Sequence, residues 1–137
     1  MVILEKLEST QSVSVHSQVG KKSSLYCTSV GKVILANLPQ AKIDHFLDTY
    51  PRVKYTDNTI VDKEQLLAEL EKIRQNGYAI DIEERELGVR SVAVPTRNLA
   101  GTLIGGLSVT GPRYRMTDER IREIRDFLLD VVLKKKM

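Results

Sequence analysis

DIEERELGVRSVAVPTRNLAGTLIGGLSVTGP, residues 81–112, is the stretch whose reading decides the fold. It predicts two strands, Val89 to Thr96 and Thr102 to Thr110, behind a charged lead-in. Both are rich in β-branched residues, and Asn98 and Gly101 supply turn chemistry between them. Side-chain alternation then assigns faces. On the second strand the apolar odd positions Leu103, Leu107 and Val109 fall together, with Gly105 among them. Gly106, Ser108 and Thr110 fall on the opposite face, beyond Ile104. On the first strand Val89, Ser91, Ala93 and Pro95 share a face. Small residues and hydroxyls on adjacent strands leave room beside the sheet and line it with hydrogen-bonding groups. Such a surface suits a small polar ligand better than a tightly filled core.

Length and composition set the outer limits. A chain of 137 residues is expected to form one domain, long enough to bury about 68% of its unfolded surface. No apolar run approaches the roughly 20 residues that span a membrane. Met1 leads into a strand-like VILEKL without the extended apolar core of a signal peptide. Cys27, the single cysteine, excludes an intramolecular disulfide and fits a reducing, cytoplasmic compartment. The net charge of +3 includes the run Lys134-Lys135-Lys136, which suits a solvated helix end. No basic face or nucleic-acid motif supports direct binding of DNA or RNA by this chain.

In chain order, Val2 to Lys6 and Ser12 to Gln18 read as strands, followed by a polar loop over Gly20 to Ser24. Thr28 or Ser29 can cap a helix running through Val33, Ile34 and Leu35 to Asn37. Pro39 ends it and starts another carrying Ile43, Phe46 and Leu47. Pro51 to Thr59 is loop-like. Asp62 with Gln65 resembles a capping box, ahead of a stripe of Leu66, Leu67, Leu70 and Ile73 and a stop at Gly77. Tyr78 to Ile82 alternates as a strand, with Ala79 and Asp81 on one face. Thr117 caps the last helix, whose stripe is Ile121, Ile124, Leu128 and Val132. The whole is an α/β chain with mostly antiparallel pairing.

Gly31-Lys32 is no phosphate loop, because the preceding glycine is absent and Val33 replaces the magnesium-binding hydroxyl. Gly101, Gly105 and Gly106 precede no helix and so make no dinucleotide fingerprint. His16 and His45 lie in different elements and suit surface or structural roles; no metal site is expected. Cys27 precedes a helix start, which favours a reactive thiol, yet a buried free cysteine is the commoner case. Glu83-Glu84-Arg85-Glu86 reads as a solvated charged turn rather than a catalytic carboxylate pair. No catalytic constellation and no cofactor emerge. What remains is a helix N-terminus at Ser29 and Val30, whose backbone amides favour an anion. Asp81, Ser91, Ser108 and Thr110 lie on strand faces that either adjoin it or merely pair with neighbouring strands.

YCTSVGKVILANLP at 26–39 resembles the helix-opening signature of bacterial IclR-type transcriptional regulators. GYAIDIEERELGVRSVAVPTRNLAGTLIGGLSVTGPRYRMTDERI at 77–121 is similar to the second half of their effector-binding domain. The resemblance spans nearly the whole chain. It implies a GAF-like fold over 1–137: a central, mostly antiparallel sheet flanked by helices, with a small-molecule pocket at one side. It implies dimers or tetramers, and a winged helix-turn-helix domain, absent from this chain, that carries operator binding. The chain is therefore expected to be an excised fragment. Family members that bind small keto acids use backbone amides at positions that fall on Ser29 and Val30. An acidic residue falls on Asp81, a small polar one on Ser91, and hydroxyls on Ser108 and Thr110. Ser91 stands where cysteine is frequent, and Val30 is bulkier than the usual small residue.

The expected effector is a small carboxylic or sugar-derived acid with its charge on the amides of Ser29 and Val30. Ser91, Ser108 and Thr110 are expected to donate to its other oxygens. A bare carboxylate repels an anion, so Asp81 suits a ligand hydroxyl, which favours a hydroxylated acid over a plain keto acid. Two alternatives stand beside this sensor: a GAF-like enzyme using Cys27, and an oligomerisation module without a ligand.

Overall fold

The computed structural model describes residues 25–134. The strands anticipated at Val2–Lys6 and Ser12–Gln18, the loop at Gly20–Ser24 and His16 lie outside the described residues, as does most of the terminal lysine run. The element order is α1 (Ser29–Ala36), α2 (Gln40–Thr49), α3 (Lys63–Asn76), β1 (Ala79–Ile82), β2 (Val89–Arg97), β3 (Leu103–Pro112) and α4 (Asp118–Lys134).

The helices begin and end where local chemistry directs. Thr28 caps α1, its hydroxyl accepting from the Gly31 amide at 3.1 Å. The Asp62 carboxylate caps α3 by accepting from the Gln65 amide at 3.0 Å. Gly77 ends α3 in the left-handed conformation, φ 82°, which costs any other residue a clash at Cβ. Thr117 accepts from the Arg120 amide at 3.2 Å and opens α4. Pro39 stands one residue earlier than expected, as the N-cap of α2, without a side-chain bond.

β1, β2 and β3 form an antiparallel sheet in that order. The register stacks Asp81, Ser91 and Thr110 in one cross-strand row and Ala79, Ala93 and Ser108 in the next. This face carries α1, which packs against all three strands, with α3 packed on α1. Val33, Leu35, Leu66, Leu70, Ile73, Ala79 and Ala93 share one buried apolar cluster there. The other face carries α4 and a second cluster of Val92, Val94, Met116, Ile121 and Leu128.

One face assignment changes. The β2–β3 register shifts at Thr96/Arg97, so Thr96 pairs with Gly105 and Arg97 with Leu103, leaving Ile104 as an extra residue. A bulge of this kind flips the alternation beyond it. Leu103 therefore packs into the α1-side cluster, whereas Val109, opposite Val92, lies on the α4 side with Leu107. Strict alternation had placed all three together.

Candidate functional site

The site grows from the start of α1. Hydrogen bonding within a helix leaves its first amides without helical partners. Thr28 takes up the next two, accepting the Gly31 amide on its hydroxyl and the Lys32 amide on its carbonyl at 2.9 Å. Among the described residues the amides of this turn without a hydrogen-bond acceptor are those of Ser29 and Val30, and no acidic residue occupies the first turn to compete for that end.

Burial of an apolar stripe from α1 presses this helix end onto the sheet. The Ser29 hydroxyl, buried, lies 2.6 Å from the Ser91 hydroxyl on β2. Ser91 is flanked by Asp81 on β1 and Thr110 on β3. Val30 lies over Gly106: a Cβ on that glycine would meet Val30 Cγ2 at 2.8 Å. Only a residue without a side chain lets helix and strand approach this closely. Ser108, two residues on, shares the same face and is exposed, as is Thr110. The six anticipated positions thus fall on one side of the sheet beside one helix end. Ser29, Asp81 and Ser91 form a buried centre, while Ser108 and Thr110 extend it along β3 toward solvent.

Electrostatics set this centre apart from an ordinary core. Asp81 is 4% exposed, and its Oδ1 accepts the Glu84 amide at 2.8 Å. Burial pushes its carboxyl up to about 6, against the Glu84 amide and Lys32, which favour the charged form. Glu84 is 6% exposed, and burial pushes it up to about 7; Lys32 opposes this, while Asp81 and Glu69 add to it. Lys32, fully buried on α1, donates to Glu84 Oε2 at 2.7 Å, to the Ile80 carbonyl at 3.0 Å and to Glu69 Oε2 at 3.4 Å. Among the described residues Glu84 Oε1 is buried without a hydrogen-bond partner.

The Glu83-Glu84 segment is therefore no solvated turn, contrary to its composition. Glu83 adopts φ 57°, and its Oε1 accepts the Gly88 amide at 2.8 Å. The loop after α2 clamps the same segment. Thr56 and Thr59 donate to the carbonyls of Glu83 and Glu84 at 2.6 and 2.5 Å, and Asn58 donates to the Ile82 carbonyl at 3.1 Å. Burial of these two glutamates follows from partners 25 or more residues away, which a local reading does not contain. Lys32 did leave a signal: it is the one charged residue in SVGKVILA, a helix otherwise built to be buried.

Cys27 is fully buried, and burial pushes its thiol up to about 12. The nearby Arg85 and Lys32 favour the thiolate and Asp81 and Glu84 oppose it, but desolvation prevails. The resulting neutral thiol has no nucleophilic character. His45 is exposed on α2. Among the described residues no group of three or more His, Cys, Asp or Glu side chains is placed to hold a metal ion.

The sequence profile described as "Bacterial transcriptional regulator IclR C-terminal" matches residues 1–135. The chain belongs to the IclR family. Its relatives include the HTH-type regulator KdgR of Escherichia coli K12, 35% identical over 90% of this chain and 47% of the relative. XynR of the same organism is 34% identical over 93% of this chain and 50% of the relative. This IclR-family chain thus spans about half the length of the curated relatives it matches. Among solved structures, the Thermotoga maritima IclR superposes with a TM-score of 0.85 at 38% identity, covering 96% of this chain and 53% of that one. The C-terminal domain of E. coli KdgR gives 0.75 at 33% identity, over 89% and 76%. The inducer-binding domain of an Acinetobacter PobR double mutant, in complex with 3-hydroxybenzoic acid, gives 0.77 at 30% identity, over 80% and 65%. The family is one of transcriptional regulators, so the expected IclR-type effector-binding domain stands and the alternative of an enzyme using Cys27 is not favoured.

Proposed function

We propose that this chain senses a small hydroxylated carboxylic acid, held between the start of α1 and the Asp81–Ser91–Thr110 row, for a bacterial transcriptional regulator. The carrying observation is that convergence: two helix-end amides, a buried carboxylate and three hydroxyls from four elements on one side of one sheet. The ligand carboxylate takes the Ser29 and Val30 amides, and Ser108 and Thr110 donate to it or its neighbouring oxygens. Asp81, with Oδ1 engaged by Glu84, offers its remaining acceptor capacity to a ligand hydroxyl. Support comes from the PobR domain, whose bound 3-hydroxybenzoic acid carries both a carboxyl and a hydroxyl.

In the present arrangement the Ser29 and Ser91 hydroxyls satisfy each other, and Val30 occupies the space over Gly106. Admission of an acid exchanges the first contact for bonds to the ligand and shifts α1 along the sheet. Such a ligand favours one placement of α1 over another, which is what signalling requires. Operator binding belongs to a winged helix-turn-helix domain of a longer, cytoplasmic regulator, of which residues 1–137 form the effector domain. The half-length match to relatives that are themselves HTH-type regulators supports this. Assembly as a homodimer or tetramer belongs to the same reading and follows from the family resemblance alone.

The test is thermal unfolding against gluconate, glycerate, 3-hydroxybenzoate and pyruvate. At about 100-fold over the dissociation constant the gain is about 2.7 kcal/mol, a shift of roughly 8–14 °C. Hydroxylated acids are expected to shift the transition, and Asp81→Ala and Ser108→Ala to abolish the shift, whereas Asp81→Asn keeps a polar group for the ligand hydroxyl and is expected to bind. A shift that survives both alanine substitutions would place the ligand elsewhere.

A further inference from the structure

Resting on the reading of this face as the effector site, we infer that the acid is taken up together with a proton held on the Asp81–Glu84 pair, which selects singly over doubly charged acids.

Asp81 and Glu84 are two buried carboxyls joined through the Glu84 amide and Asp81 Oδ1. Lys32 is the ammonium that reaches them, and its contacts are divided among Glu84, the outer carboxylate of Glu69 and the Ile80 carbonyl. The other charges around the cluster are engaged elsewhere. Glu83 faces Arg90 and Arg113 at 3.8 and 3.7 Å. The Arg85 guanidinium stacks over the Tyr55 ring at 3.9 Å, with its field felt at Cys27, itself a neutral thiol. None of Ser29, Val30, Asp81, Ser91, Ser108 and Thr110 is cationic. One ammonium thus serves three carboxyls before any ligand arrives.

An acid seated on the Ser29 and Val30 amides adds a negative charge beside Asp81, because Ser29 contacts Ser91 and Ser91 is the cross-strand neighbour of Asp81. A like charge at that range disfavours ionisation, typically by one to a few pKa units. Among the described residues Glu84 Oε1 is buried without a hydrogen-bond partner, which shows where a charge is already poorly compensated, so a proton on this pair relieves the site at least cost. Free Asp81 near 6 and Glu84 near 7 place the exchange around neutrality. The bound pair holds its proton more tightly than the free pair. Affinity therefore rises as pH falls through the bound-state value, and levels off below the free-state value. A dianion doubles the repulsion and gains no further cation.

Isothermal titration of the chain with gluconate and with 3-hydroxybenzoate at pH 6, 7 and 8, in buffers of low and high ionisation enthalpy, counts the protons. Uptake of up to one proton is expected, with an affinity gain of about 5- to 25-fold from pH 8 to pH 6 for a one- to two-unit shift. Tartrate, a dianion at pH 8, is expected to bind at least tenfold more weakly than gluconate. Asp81→Asn with Glu84→Gln keeps the oxygens that face the Glu84 amide and Lys32, and is expected to flatten the pH dependence. Glu84→Gln alone is expected to reduce it. Binding by the unsubstituted chain that is flat from pH 6 to 8 and independent of buffer would overturn the inference and leave the effector site standing. Full proton uptake in the double variant would also overturn it, by placing the proton elsewhere. Failure of both acids to bind would sink the site and the inference together.

Discussion

Lys32→Met tests how the centre of this domain is held. Methionine retains an unbranched apolar stem of similar reach, so the substitution removes the ammonium and little else. Two contacts of consequence disappear, at 2.7 Å to Glu84 Oε2 and 3.0 Å to the Ile80 carbonyl. Glu84 would then carry a buried carboxylate with neither oxygen compensated by a cation, since among the described residues Oε1 has no partner even now. Breaking a buried pair on one side typically costs about 3–5 kcal/mol. That is a large share of the roughly 5–15 kcal/mol that stabilises a domain. At about 3–5 °C per kcal/mol for this chain length the midpoint should fall by about 9–25 °C at pH 8.

The loss has a built-in pH signature. Lys32 is the main influence holding the Glu84 carboxyl down, so its removal raises Glu84 further above about 7. An acid whose folded-state value is raised contributes its stability below its unfolded value, near 4.5, and loses it as pH rises through the folded value. At pH 5.5 Glu84 is already neutral and does not need the ammonium, so the deficit should shrink to about half or less. Urea unfolding followed by far-ultraviolet circular dichroism at both pH values gives the difference between variant and parent. Lys32→Met/Glu84→Gln should recover part of the loss at pH 8. A deficit below about 1 kcal/mol, or one equal at both pH values, would refute the reasoning.

Gly106→Ala should cost about 1–3 kcal/mol, because the new methyl meets a β-branched Val30 fixed on a helix; adding Val30→Ala should restore most of it in a denaturant series. Gly31→Ala should cost more than Gly106→Ala, since its methyl meets Leu25 backbone at 2.6 Å rather than a side-chain end. Cys27 should resist iodoacetamide at pH 8 in the folded chain and react fully in denaturant, as mass spectrometry would record; rapid labelling of folded protein would contradict its burial.

The parts of this fold that were legible in the sequence are those written locally. Asp62, Gly77 and Thr117 act through hydrogen bonds or dihedrals within a few residues, and each bounds its helix where the sequence placed it. The β2–β3 hairpin announced itself through alternation and the Asn98–Gly101 turn, whose Asn98 side chain accepts the Ala100 and Thr102 amides. Alternation grouped Ser108 with Thr110 and put Asp81 and Ser91 on faces that could adjoin the start of α1, but their common side comes from the strand register. What stayed hidden depends on distant partners. The extra residue at Ile104 is an accommodation between strands, and it moved Leu103 to the other face. The buried Glu83-Glu84 segment owes its solvation to Thr56, Asn58 and Thr59, and its charge balance to Lys32 on α1. Four charged letters in a row read as a wet turn until those partners are in place.

The most direct measurement for the sensor reading is the nitrogen–proton spectrum of the isotope-labelled chain during titration with 3-hydroxybenzoate and with gluconate. The Ser29 and Val30 amides should show the largest saturable shifts, moving to lower field as they donate to a carboxylate, with smaller changes along the Asp81–Ser91–Thr110 row. Saturable shifts confined to another surface, with Ser29 and Val30 unmoved, would contradict the account at its centre.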